Sequence, residues 1–213
     1  LSYHQESYRS RTKFIVDAIH KKGKTLKILD IGCVGAGNTI HPVVVSETSS
    51  YFKSYDAMDI DSAVNDMQSS CGVTYSQQSI YDLDKIGSLE GKFDVIVLTE
   101  VIEHLQDTLK AMKALKFVLA KDGVLLITYP NPFSLRPLIK FLLTNDPLSE
   151  KQVKSFCGCP DHIFIPPLPV FHRYLESVGL KISEVGYLKP EFGFKFFRKF
   201  APYLGLKINK QDF

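Results

Sequence analysis

Glu100, Glu103 and His104 stand together in the string EVIEHL, and upstream the string DIGCVGAG sets Asp30 ahead of Gly32, Gly35 and Gly37. Two carboxylates and an imidazole this close can do chemistry in two ways. They can hold a divalent cation, or the imidazole can take a proton from a reacting hydroxyl. If a helix starts at this point, Glu100 shares one face with Glu103 at i+3 and with His104 at i+4. Acids at a helix start also stabilise its dipole with no ligand at all. The glycines suggest a different task. Glycine tolerates positive φ and lets backbone N–H groups approach a ligand closely. A third landmark is Asp59 in DAMDID, an acid placed to accept hydrogen bonds from a ribose diol.

Helical and strand-like segments alternate along the chain, which predicts an α/β fold with a mostly parallel sheet. Strands are expected at Leu26–Ile31, Tyr55–Ile60, Val73–Gln77, Phe93–Leu98, Val124–Thr128 and Leu180–Gly186, with FGFKFF as a final one. FDVIVL is an almost unbroken apolar run, as a strand covered on both faces requires. Helices are expected at Tyr8–His20, Thr39–Ser50 with a start made irregular by Pro42, Gln106–Leu119 and Pro169–Val178. Leu109, Met112, Leu115 and Leu119 recur at helical spacing in the third of these. Pro130 to Pro167 breaks the α/β rhythm. It is proline-rich and reads as a lid or substrate insertion after strand five. The whole chain, 1–213, reads as a single domain.

Composition narrows the function classes. An apolar share of 45% and a charged share of 23% are an ordinary globular balance, so the chain should bury a core without staples. A net charge of +3 is too small to imply nucleic acid, and no RNA-binding motif accompanies the basic residues. The four cysteines offer no C-x-x-C pair, because Cys157 and Cys159 are spaced C-G-C. Reduced thiols, a polar and charged start, and no apolar run near the ~18 residues of a bilayer span predict a cytoplasmic protein. The aromatic and basic stretch FGFKFFRKFAPYLGLKINK reads as a closing strand and helix whose aromatics fill the core and whose lysines snorkel. Its other use would be contact with the inner membrane face or a lipid-linked substrate.

Ligands of doubly wound sheets sit at the C-terminal ends of the strands. The glycine turn and Asp59 fit either a dinucleotide or S-adenosylmethionine. The fingerprint D-x-G-x-x-G-x-G is not the dinucleotide G-x-G-x-x-G. A carboxylate at Asp30 repels a pyrophosphate but can pair with an α-ammonium.

At these residues the chain resembles the class I S-adenosylmethionine-dependent methyltransferases. It is most similar to the branch with DIGC in the first motif, FDVI and EVIEHL in the fourth, and PNPFSLR after strand five. The resemblance spans Lys27 to Gly186. It implies a Rossmann-like, doubly wound, mostly parallel seven-stranded sheet with an antiparallel last strand. Relatives in this branch act on sugars, lipid-linked metabolites or quinone precursors. The implied activity is O-methylation of a hydroxyl on a sugar, glycan or small metabolite.

Carried over by position, Asp30, Gly32 and Gly35 would hold the methionine part of the cofactor and Asp59 its ribose. Ser79, with Ile80 beside it, stands where the family often has an adenine-binding Asp, and Ile60 flanks Asp59. Val34 departs from the family's usual glycine. Glu100 would lie beneath the reacting centre. In similar small-RNA 2′-O-methyltransferases a later histidine completes a Mg²⁺ site, and DHIF offers His162 in that place. The implied metal set is therefore Glu100, Glu103, His104 and His162. Without metal, His104 or His162 would serve as general base beside Glu100. Two alternatives accompany this reading: a non-catalytic binding or scaffold protein of the same fold, and a nicotinamide-dependent oxidoreductase.

Overall fold

The computed structural model describes residues 3–35, 39–69, 72–143, 161–188 and 201–211. Seven strands form one sheet: β1 Leu26–Ile31, β2 Phe52–Asp59, β3 Val73–Gln77, β4 Phe93–Thr99, β5 Leu119–Pro130, β6 Leu180–Leu188 and β7 Tyr203–Lys210. Their order is β3-β2-β1-β4-β5-β7-β6, with β7 antiparallel to both neighbours and β1 to β5 parallel. This is the expected Rossmann-like sheet with a reversed last strand.

Helices α1 (Tyr3–Lys22) and α2 (His41–Thr48) belong to one layer, and α3 (Thr108–Val118) and α5 (Leu168–Ser177) to the other; α4 spans Leu135–Leu142. The period-two geometry of a strand sends alternate side chains to the two layers. In β4, Val95 and Val97 join Ile15, Ile19 and Val44 on the α1/α2 side. Ile96 and Leu98 join Met112, Leu115, Phe171 and Leu175 on the other. Both faces are dry, so the continuous apolar run has its physical reason.

The strand expected at FGFKFF lies outside the described residues, and a strand that was not expected spans Tyr203–Lys210. Two sequence expectations change. Pro42 does not disturb α2, because it occupies the first turn, where its missing N–H would have no partner. The KDG turn lies inside β5, whose register against β4 breaks between Phe93 and Val95. Of the proline-rich insertion, α4 and residues 161–167 are described, while Cys157 and Cys159 are not. Among the described residues, no helix is long and apolar enough to cross a membrane.

One packing contact ties α1 to the antiparallel edge. Gly186 and Gly205 are paired across β6 and β7, and the Phe14 ring lies over both. A Cβ on Gly205 would stand 2.9 Å from that ring. Gly205→Ala should therefore force the ring aside and cost about 1–3 kcal/mol, read as a lower urea midpoint with an unchanged slope.

Candidate functional site

Parallel pairing delivers the landmarks to one edge. Asp30 is near the end of β1, Asp59 ends β2, and Glu100 follows β4. Gly32 opens the turn after β1 with φ +85, and a Cβ there would lie 2.4 Å from Val101 Cγ2. Only glycine fits on both counts. Gly35 also has positive φ, at +24. The turn is fastened by Gly32 N–H to Met58 O at 2.9 Å and by Val34 N–H to Asp59 Oδ2 at 2.9 Å. Asp59 Oδ1 accepts from Asp61 N–H at 3.0 Å. Ile60 is 74% exposed beside it, an apolar surface open to solvent among the described residues. The β3 end joins this group, since Gln78 N–H donates to Asp59 O. Ser79 Oγ accepts from Tyr81 N–H, and Ile80 is buried under the turn. Asp59, Ile60, Ser79 and Ile80 thus line one end of the edge.

Asp30 has other company. It is buried, and its Oδ2 accepts from Tyr55 Oη–H at 2.7 Å and lies 2.7 Å from His41 Nδ1. His41 Nε2 is 3.0 Å from the Tyr75 hydroxyl. From the sequence, His41 belongs to no constellation; the structure corrects this. A buried carboxylate needs donors, but nothing in the spacing says which donors the fold will bring. Cys33, beside this group, is fully buried, and burial together with Asp30 and Asp59 pushes its thiol up to about 12. It is no nucleophile.

The EVIEHL string does not form the expected α-helix. Glu100 adopts a left-handed φ of +54, Ile102–His104 make one 3₁₀ turn, and α3 begins only at Thr108, capped by Asp107. Helical spacing therefore does not bring Glu100 onto one face with Glu103 and His104. Such strain in a non-glycine residue recurs at functional sites. Glu100 Oε1 accepts from Thr128 Oγ1 at 3.1 Å and lies 3.7 Å from Arg11 Nη1. Arg11 comes from α1, is buried, and stacks over Tyr203 at 5.2 Å. Sequence reading missed Arg11 and Thr128, because each is remote in the chain. Burial pushes Glu100 up, and Arg11 and Thr128 oppose the rise.

Glu103 is fully buried, and among the described residues neither of its carboxylate oxygens finds a hydrogen-bond partner. Its backbone carbonyl accepts from Ile163 N–H at 2.8 Å and Phe164 N–H at 3.2 Å. Those two bonds bring DHIF back against EVIEHL. His162 Nε2 then lies 3.9 Å from Glu103 Oε1, and the His104 and His162 rings are 4.8 Å apart. His104 Nδ1 is 3.2 Å from the Asp161 carbonyl and 3.3 Å from its carboxylate. The ligating atoms of Glu103, His104 and His162 all lie within 4.8 Å of one another, while Glu100 stands with Arg11 and Thr128.

Burial and the neighbouring Glu100 push Glu103 well above the ordinary carboxyl value. Folded chains then keep a proton that unfolded chains release, so stability falls as pH rises above about 4.5. Glu103→Gln should remove that fall. Its melting temperature should exceed wild type at pH 8 and match it most closely at pH 4, measured without divalent metal.

This sheet order, with β7 reversed and the landmarks on the parallel edge, defines the Rossmann-like methyltransferase fold. A family model described as a methyltransferase domain matches residues 2–185, and the chain belongs to that family. Membership replaces the nicotinamide-oxidoreductase alternative. Among solved structures, an S-adenosylmethionine-dependent methyltransferase from Mesorhizobium loti is similar at a TM-score of 0.63 and 15% identity, covering 92% of this chain and 95% of that one. A SAM-dependent methyltransferase from Archaeoglobus fulgidus has a TM-score of 0.61 and 17% identity, covering 99% and 100%. The Burkholderia thailandensis 1,6-didemethyltoxoflavin-N1-methyltransferase, solved with S-adenosylhomocysteine, has a TM-score of 0.62 and 13% identity, covering 97% and 79%. No curated protein matches the sequence significantly.

Proposed function

We propose that the chain binds S-adenosylmethionine across the tips of β1, β2 and β4 and transfers its methyl group to a hydroxyl of a sugar or small metabolite. The observation that carries the cofactor is Asp59 at the tip of β2. It fastens the glycine turn through Val34, has lone pairs left for a ribose diol, and adjoins an exposed Ile60 on which a base can rest. The acceptor oxygen attacks the methyl carbon in line. The carbon–sulfur bond breaks, S-adenosylhomocysteine leaves, and the acceptor proton must go to a base. Much of the rate comes from alignment and exclusion of water.

The preference for oxygen rests on the imidazole of His104. With Nδ1–H directed at Asp161, His104 keeps the Nε2 lone pair free to take the hydroxyl proton. Glu100 is held apart from it by Arg11 and Thr128.

A second reading adds a divalent cation, favoured by the buried carboxylate of Glu103 facing two imidazoles. Glu103, His104 and His162 would hold it, with Glu100 outside the set. One carboxylate and two imidazoles suit Mn²⁺ or another transition metal better than Mg²⁺. A cation there would lower the pKa of an acceptor hydroxyl. Mn²⁺ should raise the melting temperature of wild type and leave Glu103→Gln unmoved. Equal response of both proteins sinks the cation.

Calorimetric titration tests the cofactor. S-adenosylhomocysteine should bind with a micromolar Kd, about −8 kcal/mol. Asp59→Ala should weaken it at least about tenfold, the scale of one charge-assisted hydrogen bond. Absence of any heat from wild type ends the methyl-transfer reading. Tight binding with no methyl transfer to any hydroxyl panel would instead favour the non-catalytic scaffold.

A further inference from the structure

We infer that His41 is a positioning residue for the cofactor: it staples the glycine turn shut so that S-adenosylmethionine meets a preformed site. The inference rests on the cofactor reading above and adds to it a residue that touches neither cofactor nor acceptor.

The geometry is that of a closed loop. Asp30 is the next-to-last residue of β1, and His41 is the first residue of α2. Their 2.7 Å hydrogen bond joins the two ends of the turn that contains Gly32 and Gly35. Both partners are buried, at 3% and 2% exposure, so water does not compete for the bond. The imidazole is held from its other side too. Asp30 is a carboxylate acceptor, so Nδ1 carries the hydrogen, and Nε2 lies in hydrogen-bond contact with the Tyr75 hydroxyl at 3.0 Å. Tyr55 fills the second donor position on Asp30 Oδ2 at 2.7 Å. The rings of Tyr55 and Tyr75 stand edge-on to the imidazole, 5.7 and 5.6 Å away between centroids. One side chain thereby links β1, β2, β3 and α2 beneath the turn.

Glycine makes this staple necessary. A turn that needs positive φ at Gly32 and Gly35 loses more conformational freedom on ordering than any other kind. Asp59 fixes the middle through Val34 N–H, but it is half-exposed and is itself needed by the cofactor. The Asp30–His41 bond fixes the ends from beneath, through a buried imidazole. Ordering completed before binding is not charged against affinity. His41 should therefore govern the dissociation constant, beyond any effect on global stability.

The test is calorimetry with S-adenosylhomocysteine on wild type, His41→Leu, His41→Asn and His41→Gln, each well below its own melting temperature. His41→Leu removes both hydrogen bonds and should weaken binding roughly tenfold. The Asn amide N–H lies where Nδ1–H was and keeps the bond to Asp30, so His41→Asn should recover most of that loss. Gln reaches toward Tyr75 instead and should not recover it. A lower melting temperature with wild-type affinity in His41→Leu makes the residue structural only and overturns the inference. If His41→Leu does not fold, His41→Gln decides, and wild-type affinity there overturns it equally. Wild type that fails to bind S-adenosylhomocysteine fells the cofactor reading and this inference together, whereas variants that bind normally fell this inference alone.

Discussion

Parallel register among β2, β1 and β4 is the constraint from which the site follows. Asp30 pairs with Ala57 on one side and Val97 on the other. The chain therefore brings Asp59 and Glu100 out just beyond the same edge, where backbone pairing ends and ligands can enter. Nothing else in the sequence brings residues 30, 59 and 100 together. The register is itself held by burial. Val95, Ile96, Val97 and Leu98 each lose all or nearly all of their exposure, two to each layer. Slipping by one residue would move every one of them to the wrong layer.

At that edge the protein keeps charge under cover. Glu100 and Glu103 are both pushed up by burial, but they are not equivalent. Glu100 has Arg11 and a threonine hydroxyl; among the described residues, Glu103 has no donor on either oxygen. Burial raises both, but Glu103 is raised further by the neighbouring Glu100, while Arg11 and Thr128 oppose the rise at Glu100. The left-handed backbone at Glu100 belongs to the same arrangement. A residue held in that conformation, with Val101 packed against Gly32, couples the β4 tip to the glycine turn.

The fold was largely legible. Val73–Gln77 and Leu26–Ile31 match the expected strands end to end, because short β-branched runs bounded by glycine or polar residues have few other uses. The closing strand shows the limit: nothing local in YLGLKINK marks it as the partner of both β5 and β6, a pairing that is long-range on both sides. The helix expected at EVIEHL failed for a similar reason: two backbone hydrogen bonds from Ile163 and Phe164 to the Glu103 carbonyl hold the turn in another shape.

From the residues alone came the glycine turn, the acid at the end of β2, the chemical types gathered in EVIEHL, and the pairing of that string with DHIF by resemblance. These are local patterns, and local patterns survive in one dimension. Only the tertiary structure decided that Asp30 is satisfied by His41 and Tyr55, that Arg11 reaches Glu100 from the first helix, and that Glu103 groups with His104 and His162 while Glu100 does not. A buried charge must find partners, and the demand can be read in a sequence. Which remote side chain meets it depends on how the layers close around the sheet.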